Sequence, residues 1–288
     1  MGTTGGLQEI LELDRLEDHL FRGRSRETGS ARVFGGQVAA QALMAAGRTV
    51  PEDRLAHSLH AHFLRPGDPA VPIVYQVDPM RDGGSFTTRR TVAVQRGKPI
   101  FHLTASFHRP EEGYEYQSAK VERPEPEGLP DAGEVFGAAD ERTRRWFSDT
   151  HRGLPLEVRP VGELPRFAAM RGEPAPPVQG FWFRTRERLG DDPLLHACVV
   201  AYASDLLLLT TAAAPHGVVL ESAFQFASLD HTLWLHAPVR ADEWLFYDQE
   251  AVWSGGARAL CRGTLSDRSH RLVGSVTQEG LIRPLPRA

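Results

Sequence analysis

The feature of this sequence that most constrains its fold is the apolar stretch Leu194–Gly217, which reads LLHACVVAYASDLLLLTTAAAPHG. Almost to its end, it has neither the apolar stripe of a surface helix nor the alternation of a half-buried strand. Such a pattern predicts a helix that is buried on all sides. The flanking residues are typical of a helix start, Asp192 and Pro193, and of a stop, Pro215 and Gly217. The rest of the chain must therefore cover this helix.

Asp205 is the only formal charge within that stretch. At helical spacing its neighbours are Ala201, Tyr202, Leu208 and Leu209, which are mostly apolar. Burying an unpaired carboxylate costs several kcal/mol even after relaxation, so the residue needs partners or a function. The alternative is that the helix ends early and Asp205 meets water in a loop. Position alone does not decide between the two.

Length and composition restrict the class of protein. With 288 residues and 41% apolar content, the chain can bury a substantial core as one large domain or two smaller ones. A net charge of −4 argues against nucleic acid as a partner. His196 and Asp205 interrupt the best candidate for a membrane span, which argues against a membrane protein. The acidic N-terminal stretch lacks the features of a signal peptide, so we expect a cytoplasmic location.

The side chains that could bind metal or attack a substrate form no recognisable site. Two cysteines, Cys198 and Cys261, are too few for a disulfide framework or a four-cysteine zinc site. His57, His60 and His62 are clustered, but no carboxylate is nearby, and a structural role is favoured. No GxSxG nucleophile motif is present. We therefore expect no metal, no cofactor and no covalent nucleophile.

The two halves of the chain have the same order of elements. In the first half an alanine-rich helix, GQVAAQALMAAG, is followed by strand patterns at 56–65, 71–82, 85–96 and 99–109. In the second half a strand at 177–188 and the apolar helix are followed by strand patterns at 220–237, 244–254, 257–267 and 271–283. A shift of 172 positions without a gap places Pro66 on Pro238 and Ser106 on Gln278. The chain is therefore predicted to repeat one unit twice.

The repeat predicts an α+β fold, because each unit is a helix followed by a meander of antiparallel strands. One such sheet covers only one side of a helix. Two sheets joined edge to edge would surround the helix, and the edge strands at the join would be paired and not exposed. This is the shape of a double hotdog. The predicted organisation is an N-terminal repeat at 1–110, a linker rich in proline and glutamate at 111–155, and a C-terminal repeat at 156–288.

A small set of polar residues lies in otherwise apolar segments of the second repeat. Asp205 is on the helix, Ser228 lies in the strand pattern AFQFASLDHTLWLH, and Gln278 lies in LVGSVTQEGLIR. Taken singly, Ser228 and Gln278 are compatible with ordinary strand positions. The pair Gly35-Gly36 before the first helix matches neither GxGxxG nor the Walker pattern, which argues against a phosphate loop.

Several motifs together resemble the acyl-CoA thioesterase II (TesB-type) family. They are RVFGGQVAAQAL, HFLRPGDPAVPIVYQV, LHACVVAYASDLLLL, SLDHTLWLH and SVTQEGLIR. The resemblance implies a double hotdog that hydrolyses fatty acyl-CoA to a free fatty acid and CoA, as a homodimer or larger homo-oligomer. By motif it also implies a catalytic set of Asp205, Ser228 and Gln278 that holds a water. The commoner hydroxyl residue of the family is threonine, so serine at 228 is a departure.

The residue types of this set suit thioester hydrolysis. A thioester carbonyl is already electrophilic and its thiolate leaves readily, so a positioned water with Asp205 as general base suffices. Either the Gln278 amide or a backbone N–H could stabilise the oxyanion. Two alternatives are an enoyl-CoA hydratase and a non-catalytic acyl-CoA-binding protein. Asp230 and His231 suggest the hydratase, although adjacent strand residues point to opposite faces.

Overall fold

The computed structural model describes residues 6–25, 30–118, 122–139, 141, 143–145, 147, 154–219 and 223–285. Among the described residues, the α-helices with defined bounds are α1 Leu7–Leu11, α2 Gly35–Gly47, α3 Ala132–Gly137, α4 Pro165–Met170 and α5 Pro193–Ser204. In the described part the strands are β1 Asp14–Glu17, β2 Leu20–Gly23, β3 Leu55–Phe63, β4 Ile73–Asp82, β5 Phe86–Gln95, β6 Lys98–His108, β7 Leu156–Val161, β8 Val178–Thr185, β9 Phe224–Ser228, β10 Asp230–Leu235, β11 Leu245–Gly255, β12 Arg258–Asp267 and β13 Leu272–Pro284. Short 3₁₀ helices occupy Pro126–Gly128 and Leu208–His216.

All thirteen strands belong to one antiparallel sheet, which confirms the predicted double hotdog. Its order is β1-β2-β4-β5-β6-β3-β10-β13-β12-β11-β8-β7, and β9 also pairs with β13. The repeats join where β3 pairs with β10, with His60 opposite Thr232. On either side of this pair, His60 faces Thr104 and Thr232 faces Thr277. The two halves are therefore related by an approximate twofold axis through the His60–Thr232 pair.

The separation between the two repeats changes by one residue at the last strand. Thr104 and Thr277, 173 positions apart, occupy equivalent places in the two repeats, because the turn before β13 is longer than the turn before β6. The counterpart of Gln278 is therefore Ala105. The ungapped match of Ser106 to Gln278 was wrong. Ser106 lies on the opposite face of β6 from the buried Ala105.

The two long helices, α2 and α5, lie side by side inside the curved sheet. Small residues on α2 allow a close approach, since five of its alanines are buried: Ala39, Ala40, Ala42, Ala45 and Ala46. The approach is closest at Gly36, where a Cβ would lie 2.3 Å from the carbonyl oxygen of Tyr202. A side chain there would separate the helices, so glycine is required.

The apolar stretch Leu194–Gly217 is not one uninterrupted helix. The predicted start is confirmed, because the Asp192 side chain accepts a hydrogen bond from the Leu194 N–H at 2.9 Å. However, α5 ends at Ser204, with Asp205 as its C-cap. Leu207 then has a left-handed backbone, with φ of 61°, before the chain continues as the 3₁₀ helix. Of the two possibilities left open for Asp205, the structure therefore agrees with a helix that ends early.

Buried polar side chains from distant strands stabilise this helix end. The Gln249 amide donates to the Leu206 carbonyl at 2.8 Å, and the Gln179 amide donates to the Leu207 carbonyl at 3.0 Å. The Tyr247 hydroxyl donates to the Ser204 carbonyl at 2.6 Å. The Tyr247 bond satisfies a carbonyl group that the terminating helix leaves unpaired, and the two glutamine bonds hold the turn that follows it. The helix can therefore end inside the protein without leaving those carbonyls unsatisfied.

Within the described residues, the segment Pro193–His216 is long and apolar enough to cross a membrane, with a mean hydropathy of 1.7 over 18 residues. His196 and Asp205 do not lower its hydropathy enough to exclude a span, contrary to the sequence argument. The structure gives a different reason for its composition, because 83% of that window is buried inside the protein. Its apolar side chains contact the sheet and α2.

The segment between the repeats is partly packed on the C-terminal repeat. The Trp182 indole donates to the Pro124 carbonyl at 2.8 Å, and the Arg123 guanidinium lies 4.0 Å from the centre of the Phe246 ring. Strand β7 extends the sheet at its far edge, beyond the strands that the sequence predicted. The boundaries at 110 and 155 stay a prediction.

Candidate active site

The three side chains of the predicted set lie together where α5 ends. Gln278 donates from Nε2 to Asp205 Oδ1 at 2.6 Å. The Ser228 hydroxyl lies close enough to the Asp205 carboxylate to lower its pKa. The helix ends early at Asp205, as one alternative expected, but the residue is only partly exposed and has buried residues around it. The structure therefore brings these residues together, and their catalytic roles stay a prediction.

The strand geometry explains how Ser228 reaches this site. Ser228 ends β9 opposite Gly280, and Thr232 lies opposite Thr277, so one extra residue separates the two pairs. The extra residue, Leu229, makes a β-bulge, a feature that re-aims a neighbouring side chain. Glycine at 280 leaves room for Leu209, because a Cβ there would lie 2.4 Å from a Leu209 methyl group and displace that side chain.

The first repeat also contributes to the site. The Gly36 N–H, in the first turn of α2, donates to Asp205 Oδ2 at 2.8 Å. A Cβ on Gly35 would lie 2.7 Å from the same oxygen. The carboxylate thus faces the positive end of α2. All the site residues predicted from the sequence lie in the second repeat. The contribution of Gly36 was not predicted, although the glycine pair Gly35-Gly36 at the start of a buried helix was a signal for it.

Burial makes Asp205 an unusually basic carboxylate. Its apolar surroundings raise its pKa to about 6, against the opposing effect of hydrogen bonds from Gln278, Gly36 N–H and Ser228. No ion pair to Asp205 occurs in the part of the chain that the structure describes. Desolvation therefore dominates, as expected for a carboxylate without a cationic partner.

His231 completes a buried chain of hydrogen bonds that the sequence argument did not predict. Its Nδ1 lies 3.1 Å from Gln278 Nε2, and its Nε2 lies 2.7 Å from Ser204 Oγ. Ser204 Oγ in turn donates to the Ala201 carbonyl at 2.9 Å. Burial lowers the pKa of His231 to about 4, so the imidazole is neutral at pH 7. The alternating pattern of β10 indicated that His231 is buried but not what it contacts.

The Gln278 amide has no N–H left for a substrate. Its Nε2 faces both Asp205 and His231, which accounts for its two hydrogens. Its Oε1 is buried and has no hydrogen-bond partner among the described residues. Gln278 can therefore accept a hydrogen bond at this point, and this geometry favours a backbone N–H as the oxyanion donor.

The equivalent place in the first repeat carries none of these groups. The counterparts of Ser228, His231 and Gln278 are Ala56, Leu59 and Ala105. The interior beside them holds the buried Arg89, whose guanidinium donates to the Thr49 hydroxyl and carbonyl, each at 3.0 Å. The described chain therefore contains one such polar set.

No other feature of the described residues competes as a catalytic centre. They contain no group of three potential metal ligands. A cavity of about 770 Å³ lies beside Pro193 and His196, at the other end of α5, about 13 Å along the helix from Asp205. Its arginines pair with carboxylates, as Arg240 does with Asp242 at 3.0 Å. We therefore assign the candidate active site to Asp205 and its partners.

Comparison with known proteins agrees with this architecture. A family model described as acyl-CoA thioesterase matches residues 156–281, and one described as acyl-CoA thioesterase N-terminal domain matches residues 24–108. Human acyl-coenzyme A thioesterase 8 is 39% identical over 96% of this chain and 89% of its own length. Acyl-CoA thioesterase 2 of Haemophilus influenzae is 35% identical over 96% of each chain.

Solved structures show the same relationship. The crystal structure of an acyl-CoA thioesterase II from Mycobacterium marinum is 41% identical, with a TM-score of 0.79 over 97% of this chain and 99% of that one. A tesB protein of Mycobacterium avium is 32% identical, with a TM-score of 0.80 over 98% of this chain and 100% of that one. This chain therefore belongs to the acyl-CoA thioesterase II, or TesB-type, family of thioester hydrolases.

Proposed function

We propose that this thioesterase hydrolyses fatty acyl-CoA with a water held between Asp205 and Gln278. The observation that carries the proposal is the buried Gln278 Oε1, which has no partner among the described residues although it adjoins a basic carboxylate. A buried acceptor without a partner is costly unless a ligand or water supplies the donor. Gln278 Oε1 accepts one hydrogen of the water, and Asp205 accepts the other.

The reaction follows from this arrangement. Asp205 takes a proton as the water oxygen bonds to the thioester carbonyl carbon. The tetrahedral intermediate then collapses, the carbon–sulfur bond breaks, and the CoA thiolate takes the proton back from Asp205. Ser228, whose hydroxyl lies near the same carboxylate, helps to fix its orientation and does not attack the substrate. A pKa of about 6 suits this task, because a general base works best with a pKa near the operating pH.

The oxyanion requires donors other than Gln278. We assign this role to the Gly35 N–H, since the next two N–H groups of α2 already have acceptors: Gly36 donates to Asp205 and Gln37 donates to the Phe34 carbonyl at 3.1 Å. Gly35 is the first residue of α2, and its Cα lies beside the Asp205 carboxylate. The positive end of the helix favours a developing negative charge at this point.

The hydratase alternative has less support from the geometry. Asp230 Oδ1 accepts a hydrogen bond from the Glu279 N–H at 2.7 Å, and the buried His231 faces the other side of the strand. The two side chains therefore lie on opposite faces, as strand alternation requires. An Asp/His pair that acts on one substrate needs both groups on the same face.

The test is release of free thiol from acyl-CoAs of increasing chain length, for the wild type and Asp205→Asn. We expect turnover to fall about 10²- to 10⁴-fold, the usual contribution of a positioned general base. Asp248→Asn is the matched control, because burial also raises the pKa of Asp248, on the outer face of the sheet. Its turnover should equal that of the wild type.

Three outcomes would overturn the proposal. Turnover of Asp205→Asn within a few-fold of the wild type would exclude the general base. Binding of acyl-CoA by the wild type without thiol release would indicate a non-catalytic binding protein. Hydration of an enoyl-CoA without thiol release would indicate a hydratase.

The setting of the enzyme is also a proposal. We expect a cytoplasmic homodimer or larger homo-oligomer that needs no cofactor, metal, nucleic acid or membrane. Support comes from the family resemblance and from the tendency of hotdog sheets to pair. Light scattering that returned the mass of a single chain would contradict the oligomer.

A further inference from the structure

We propose that His231 is a positioning residue that sets the orientation of the Gln278 amide, so that Oε1 faces the water. This inference rests on the proposed function and adds to it a residue that touches neither water nor substrate. Hydrogen bonds link Ser204, His231, Gln278 and Asp205 in that order. Because Ser204 and Asp205 are consecutive, the four side chains form a closed ring between α5 and the sheet.

The hydrogen bonds determine where the proton of His231 lies. The Ser204 hydroxyl has one hydrogen, which it donates to the Ala201 carbonyl at 2.9 Å. In its 2.7 Å contact with His231 Nε2 it must therefore accept, so Nε2 carries the proton. The neutral ring then has a lone pair on Nδ1, which faces Gln278 Nε2 at 3.1 Å.

Two acceptors therefore hold the two N–H groups of Gln278. One is Asp205 Oδ1 and the other is His231 Nδ1. A flipped amide would place Oε1 against a carboxylate oxygen and an imidazole lone pair, which repel it. Without Nδ1, only the ionised Asp205 opposes the flip, and a protonated Asp205 would favour it by donating to Oε1. Loss of His231 should therefore make protonation of Asp205 easier.

Asp205 is the group of this network that titrates near neutral pH. The other titratable side chains around it are Tyr247 from β11, whose hydroxyl donates to Ser204, and Cys261, which lies opposite Gln278 on β12. Burial raises the pKa of both, so both are neutral through pH 8. From β3, the residue opposite His231 is Ala61. A shift in the pH at which activity is lost on acidification, the acidic limb of the pH profile, thus reports on Asp205.

The internal repeat shows that the fold does not require a histidine at this position. The counterpart of His231 is Leu59, and each is 1% exposed. An apolar side chain therefore fills the same place in the first repeat, where the acid and the amide are absent. Histidine occurs in the repeat that has Asp205 and Gln278.

The test compares three variants by the pH dependence of kcat/KM for thiol release. His231→Leu introduces the residue of the first repeat, and His231→Gln can keep the bond to Ser204 but has no acceptor at the Nδ1 position. His231→Asn keeps an acceptor near the Nδ1 position. The wild type should lose activity below about pH 6, from the pKa of Asp205.

We expect His231→Leu and His231→Gln to move this acidic limb upward by about one pH unit. They should also lower kcat about 10- to 100-fold, as misplaced reacting groups do, while KM stays unchanged. His231→Asn should restore the limb and most of kcat. His231→Gln keeps the test valid if the leucine variant fails to fold.

A limb that stays near pH 6 in both His231→Leu and His231→Gln would overturn the inference, whatever happens to kcat or stability. So would equal behaviour of the Asn and Gln variants. These failures differ from failure of the proposed function, which would leave Asp205→Asn active. If Asp205→Asn loses turnover while the His231 variants keep the wild-type limb, only the positioning role is wrong.

Discussion

The raised pKa of Asp205 predicts how the stability of the protein depends on pH. Its pKa is about 6 in the folded chain, against the ordinary aspartate value of 3.8. A difference of about 2 units corresponds to about 3 kcal/mol. Between about pH 4 and pH 6 the folded chain binds the extra proton, so this contribution to the free energy of unfolding is lost as pH rises. Ionised Asp205 therefore destabilises the fold above pH 6.

The substitution Asp205→Asn isolates this charge. Asparagine offers one oxygen to the two donors that face the carboxylate, the N–H groups of Gln278 and Gly36. One donor loses its acceptor, which costs about 1–3 kcal/mol at every pH. The cost of desolvating the charge, by contrast, destabilises the wild type only at pH values where Asp205 is ionised. The variant should therefore gain about 3 kcal/mol relative to the wild type between pH 4 and pH 7.

The assay is urea unfolding of both proteins at a series of pH values from 4 to 8. Asp242→Asn provides a control, because folding lowers the pKa of Asp242 where it raises that of Asp205. Although burial of Asp242 opposes ionisation, hydrogen bonds from Arg240 and the Leu189 N–H hold its pKa below the usual value. The contribution of Asp242 to stability is therefore complete above about pH 4, so that variant should be less stable than the wild type by the same amount at every pH of the series. A constant difference for Asp205→Asn, or one that shifts in favour of the wild type, would refute the raised pKa.

Two further predictions follow from the site and the fold. Ser228→Thr should keep or improve turnover, because threonine retains the hydroxyl and its branched side chain has fewer rotamers, whereas Ser228→Ala should lower turnover without abolishing acyl-CoA binding. An acyl group trapped covalently on Ser228 would contradict this. Chymotrypsin should cut first at the fully exposed Tyr114 or Tyr116, between the two repeats. Earlier cleavage within Leu194–Ala214 would count against the buried core.

Much of the fold could be predicted from the sequence because its signals are local. The predicted helix at the start of the first repeat and the strand patterns that follow it agree closely with α2 and β3–β6. Alternation, turn residues and helix caps act between residues a few positions apart, so a linear pattern records them. The motif resemblance added Asp205, Ser228 and Gln278, which the structure places in contact.

The sequence by itself therefore determined the repeated unit, the buried helix and the choice of polar residues. Only the tertiary structure decided where α5 ends, because Gln179, Tyr247 and Gln249 reach its last carbonyls from strands far along the chain. It also decided that the Gly36 N–H meets Asp205, 169 positions away. Periodicity describes which face a residue occupies within its own element. A hydrogen-bond partner on another element depends on how the elements pack, and packing decides which of these polar groups meet.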